Sequence, residues 1–90
     1  MSDRWSWEYD PDHAHVTGGI PDAVVKEVER LADQLVELAE VGVDVSDLGE
    51  GPHPGGLRTM NAADGWFYFL VSPHDHLIIV VRIIPPFADL

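Results

Sequence analysis

Cutting an RNA backbone by attack of its own 2′-hydroxyl needs a base for that hydroxyl, an acid for the leaving oxygen and a cation for the charge gathering on the phosphorane. Three residues of this chain, Arg82, Tyr68 and His76, have suitable side chains and fall on one face of the sheet read below. His76 and Arg82 stand six positions apart on one extended segment, which at about 3.3 Å per residue separates them by roughly 20 Å. They cannot serve one phosphate together. Tyr68 beside Arg82 is the tighter pair, and its plainer explanation is an amphipathic ring and an arginine stem covering a sheet surface.

Two His-x-His pairs, His13 with His15 and His74 with His76, have the i,i+2 spacing that aims two imidazoles the same way on an extended segment. Asp12 and Asp75 adjoin them as third ligands of a kind that zinc or nickel accepts. Polar turns recruit histidine for other reasons, so surface imidazoles in an acidic field are the default, and no metal or other cofactor is expected. His53 lies among the prolines and glycines of residues 51–56, where Gly55-Gly56 reads as turn geometry rather than a phosphate cradle. No P-loop, dinucleotide fingerprint or Ser-His-Asp signature occurs. The lack of cysteine excludes disulfides, thiolate metal sites and a cysteine nucleophile, and agrees with a reducing compartment.

Five Arg and Lys against sixteen Asp and Glu give a formal net charge of -11. Counterion release rewards proteins that bring many cations to phosphates. The five basic residues here are scattered, so weak or no binding of free nucleic acid is expected, and a basic protein partner or plain solubility suits the surface better. The first residues have neither a basic start nor an apolar stretch of signal-peptide length, and the longest apolar run, Leu77 to Val81, is far too short to span a bilayer. A cytoplasmic protein without a membrane segment is the expectation.

The elements that must position these side chains follow from periodicity. Trp5, Trp7 and Tyr9 alternate with Ser6, Glu8 and Asp10, the period-two pattern of an edge strand with its aromatic side inward. Residues 10–19 read as turn and loop, with room for a short helical turn. Pro21 and Asp22 open a helix running to about Val41, with Gly42 as terminator. Its apolar stripe is Val24, Val28, Leu31, Leu35 and Leu38, widened by Val25, Ala32 and Ala39, while Glu29, Asp33, Glu37 and Glu40 make an acidic ridge toward solvent. Residues 43–56 form a loop with a turn near Ser46 to Leu48. Then come strands at Leu57 to Asn61, Trp66 to Val71 and Leu77 to Ile84, joined at Asp64-Gly65 and Ser72-Pro73-His74-Asp75 and closed by Pro85-Pro86.

The expected fold is α+β, a single domain over residues 1–90 with one long helix packed on a mainly antiparallel sheet in the order β-α-β-β-β. If Asn61 pairs near Trp66 and Ser72 near His76, the face under the helix holds Met60, Phe67, Phe69, Val71, Leu77, Ile79, Val81 and Ile83, with Arg58 at its margin. The other face then holds Thr59, Asn61, Trp66, Tyr68, His76, Ile78, Val80 and Arg82. A slip of one residue exchanges the two sets.

The tryptophan-bearing first strand, the long helix, the Gly55-Gly56-Leu57-Arg58 strand start, the glycine-aromatic strand Gly65 to Leu70 and the final Ile/Val strand before Pro85-Pro86 together resemble the RelE/ParE superfamily of toxins. The resemblance spans most of the chain. It implies a compact cytoplasmic domain encoded with an antitoxin, whose RelE branch cuts mRNA on the ribosome and whose ParE branch poisons DNA gyrase. Carried over by position, Arg58 stands at the family's strand-start arginine and Arg82 at the basic residue of its last strand; with Tyr68, taken from its place beside Arg82 on the sheet face, these are the catalytic candidates. Phe67 stands where the family has an arginine, and Phe87 where it has a late proton-moving side chain. The expectation is therefore an atypical or catalytically degenerate toxin-antitoxin protein, with mRNA cleavage as its activity if one is retained. Its partner would be an antitoxin or another basic protein. The alternative is a non-catalytic acidic protein-interaction module.

Overall fold

The computed structural model describes residues 4–51 and 56–86. His53, Gly55 and Phe87, singled out above, lie outside them. The elements are β1 (Ser6–Tyr9), α1 (His13–Thr17), α2 (Asp22–Glu40), β2 (Arg58–Ala62), β3 (Gly65–Ser72) and β4 (Leu77–Ile84), with 3-10 turns at Val45–Asp47 and Pro73–Asp75. The class is α+β, and the expected strand-helix-meander order holds with the five-residue α1 added between β1 and α2. One sheet of order β1-β4-β3-β2 results, in which β1 runs parallel to β4 and the other pairs are antiparallel. No helix among the described residues is long and apolar enough to cross a membrane.

Helix α2 packs on one face only. Its inward stripe is Val24, Val28, Ala32, Leu35 and Ala39, set by steps of three and four, and it meets Phe67, Phe69, Val71, Ile78, Val80 and Ile83 of the sheet. Leu38, expected in the stripe, is exposed, because the rotation of a 3.6-residue turn brings Ala39 under instead. The acidic ridge is exposed at Asp33, Glu37 and Glu40 and half-buried at Glu29, and two of its carboxylates also hold β1. Asp33 accepts a hydrogen bond from the Trp7 indole N–H at 2.8 Å, and Glu29 accepts one from the Tyr9 hydroxyl at 2.9 Å. These carboxylates flank β1 and tie the edge strand to the helix.

The sheet faces are corrected in β4. Asn61 pairs with Trp66 as expected, but Ser72 pairs with Leu77 rather than His76, since His76 takes a left-handed conformation (φ 52°) and stays in the turn. Val71, Phe69 and Phe67 therefore face Ile78, Val80 and Ile83. Ile78 and Val80 belong to the core, and Leu77 and Ile79 to the opposite side. A bulge at Val81, between the Phe69–Val80 and Tyr68–Arg82 pairs, restores the expected facing of Arg82 and Ile83.

The β2–β3 hairpin turns on Ala63 and Asp64, both at positive φ (50° and 68°), a type I′ geometry shifted one residue from the expected Asp64-Gly65. Gly65 serves β3 instead: a Cβ there would collide with the Ile84 carbonyl oxygen.

Candidate functional site

The face of the sheet away from α2 carries Trp66, Tyr68, Leu70 and Ser72 of β3 opposite Ile84, Arg82, Ile79 and Leu77 of β4. Helix α2 lies on the opposite side, and Trp66 and Arg82 are exposed on this one. Tyr68 and Arg82 are direct cross-strand partners, which places their Cβ atoms about 5 Å apart. The bulge aims Arg82 outward, and its side chain is exposed. Arg82 also lines an open cleft of about 470 Å³ with Pro11, His15, Val16, Gly18, Ile20, Val81 and Ile83.

That cleft exists because β1 pairs only as far as Val80, with the Asp10 N–H donating to the Val80 carbonyl at 3.1 Å. Beyond it α1 takes over, capped by Asp12, whose side chain accepts from the His15 N–H at 2.7 Å. Val16 is buried and pins α1 to the core. The cleft thus gathers an imidazole and a guanidinium, with a phenol one strand away. Sequence reading missed His15 as a companion of Arg82, since nothing in the spacing shows that a short helix will lie along the end of the last strand.

Arg58 has a different position and use. It is 5% exposed, on the helix side of β2 opposite Phe69. Its Nε donates to the Leu48 carbonyl at 2.9 Å, and Nη2 donates to the carbonyls of Gly49 at 3.0 Å and Asp47 at 3.3 Å. The guanidinium binds the loop before β2 into the fold and does not meet Arg82 and Tyr68.

The histidine pairs do not converge. His13 and His15 lie on α1, where an i,i+2 spacing points two side chains apart, unlike the extended segment assumed from sequence. The His13 ring packs edge-on to Tyr9 at 5.4 Å, and the His76 ring stacks on Trp5 at 5.1 Å. Among the described residues no three His, Asp or Glu side chains are grouped to hold a metal. The Tyr9 phenol is pushed well above its ordinary range by burial first, then by its hydrogen bond to the Glu29 carboxylate and that group's charge. On the outer side of α2, Arg30 binds Glu27 at 2.6 and 2.8 Å, and this hydrogen bonding lowers the Glu27 carboxyl and raises the guanidinium.

Compared with known protein families, with curated proteins and with solved structures, the chain matches none.

Proposed function

We propose that this domain is a catalytically degenerate protein of the RelE/ParE toxin-antitoxin type, which works by binding a protein partner rather than by cutting RNA. The observation that carries the reading is the separation of its cations. Arg58 is committed to three backbone carbonyls on the helix side, Arg30 is paired with Glu27, and of the residues lining the cleft Arg82 alone is Lys or Arg. One guanidinium on a chain of net charge -11 is a poor match to a polyanion. Arg82, Tyr68 and His15 supply a cation, a hydroxyl and an imidazole, and an atypical nuclease would have to work with those.

The test is expression in a bacterial host with and without a candidate antitoxin, together with ribosome-dependent mRNA cleavage by the purified protein. The expected result is partner binding without cleavage. Cleavage that disappears in both Arg82→Gln and His15→Ala, at unchanged Tm, would overturn the degenerate reading and make the cleft an active site. An acidic interaction module of other ancestry shares the partner-binding expectation, and is the reading to adopt if expression causes no growth defect that a neighbouring gene product relieves.

A further inference from the structure

The end of α2 carries an apolar patch that the fold leaves open. Gly42 takes a φ of 96°, and the helix closes through the Gly42 N–H donating to the Ala39 carbonyl at 3.1 Å and the Val43 N–H donating to the Leu38 carbonyl at 3.0 Å. This closure characteristically sets the residue after the glycine against the helix residue whose carbonyl it binds, here Val43 against Leu38. The contact does not hide them. Leu38 stays 40% exposed, Val43 39% and Val41 78%. A shallow depression of about 420 Å³ lies among Gln34, Glu37, Leu38 and Val41. A polar residue would serve the helix end at Val41 equally well, so helix closure explains the glycine but not the exposed valine.

The charge around the patch has one sign. From Leu31 to Leu57 the sequence holds six Asp and Glu and no Lys or Arg. Glu37 and Glu40 lie near the C-terminal end of α2, where the helix dipole is negative and no basic residue compensates them. Both carboxylates are exposed. A second copy of the chain docked through this patch would bring its own Glu37 and Glu40 against the same residues, which like-charge repulsion opposes. A cationic partner relieves both the dipole conflict and the repulsion.

We infer that this end of α2, with Leu38, Val41 and Val43 at its centre and Glu37 and Glu40 at its rim, docks a basic amphipathic helix of a protein partner. Apolar side chains of that helix fill the depression and its Lys or Arg residues meet the rim. The inference rests on partner binding, the part of the reading above that is independent of ancestry. Growth arrest and mRNA cleavage test the remainder, so the two can fail separately.

The probe is a fourteen-residue peptide, roughly four helical turns, of Leu and Lys in amphipathic order. It is titrated into the full ¹⁵N-labelled chain beside a Leu/Glu peptide of the same pattern. The expected result is amide shifts concentrated in residues 34–44 with the Lys peptide and none with the Glu peptide. Val41→Ser, at an exposed position, should weaken binding about tenfold. The pair Glu37→Gln and Glu40→Gln should flatten its salt dependence. Shifts spread over the whole acidic surface, shifts on the bare sheet face, or binding unchanged by Val41→Ser would overturn the inference. Self-association of the free chain that Val41→Ser abolishes would overturn it in favour of a second copy.

Discussion

The two faces of one sheet are built from similar residues and put to different uses. Under α2 lie Phe67, Phe69, Val71, Ile78, Val80 and Ile83, each buried. On the other side, Trp66, Tyr68, Leu70, Leu77, Ile79 and Ile84 are apolar or aromatic too, yet Trp66 is exposed and the others are only partly covered. Side-chain chemistry alone therefore does not define the core. What defines it is which face the long helix covers, and that follows from the stripe on α2 and from the Trp7–Asp33 and Tyr9–Glu29 bonds that tie the helix to β1.

The comparison is broken most directly by truncation on each face. Leu35→Ala, beneath the helix, should cost about 2–5 kcal/mol by emptying a filled site, whereas Leu70→Ala on the bare face should cost under about 1 kcal/mol. Equal losses in urea unfolding would mean that both faces are buried in solution. Arg58→Leu should follow at about 2–3 kcal/mol, since it strips hydrogen bonds from the carbonyls of residues 47–49 in a buried position. Arg82→Gln, by contrast, should leave the unfolding midpoint nearly unchanged.

Much of this arrangement can be read from residue patterns, and the failures have physical causes. The helix, the three-strand meander and the pairing of β2 with β3 follow from periodicity and turn residues. The two faces of β4 do not, because His76 spends one residue in the turn and Val81 spends another in a bulge, and alternation within Leu77–Ile84 is masked by a run that is apolar at every position but Arg82. At the site, the outward facing of Arg82 and the helix-side position of Arg58 agree with the expected alternation. Their uses are not legible: Arg58 shares a residue type with Arg82 while lying among backbone carbonyls, and a sequence does not distinguish a guanidinium offered to a ligand from one used by a loop.

Smaller effects sharpen the picture at the edges of the sheet. Tyr9→Phe should cost about 1 kcal/mol at neutral pH by removing the bond to Glu29. Because folding raises the Tyr9 phenol, its contribution is fully present below the ordinary tyrosine value of about 10 and is lost as pH rises toward the folded value. Wild-type stability should therefore fall above about pH 10 more steeply than that of Tyr9→Phe, as seen in alkaline unfolding curves. Ala63→Gly should stabilise the hairpin by up to about 1 kcal/mol, because alanine at φ 50° is strained where glycine is not.

The bulge at Val81 also bears on how the strand can change in length. Val80 faces the core and Arg82 faces away, so removing Val81 would leave regular alternation, with Arg82 and Ile83 still on their present sides. Elsewhere along β4, losing one residue exchanges the faces of everything on one side of the cut. The inward and outward pattern thus does not require Val81, and what it adds is a side chain in the cleft beside Val16 and Ile20. Deleting that one residue should reshape the ground next to Arg82 while the facing of the sheet's interior stays as it is.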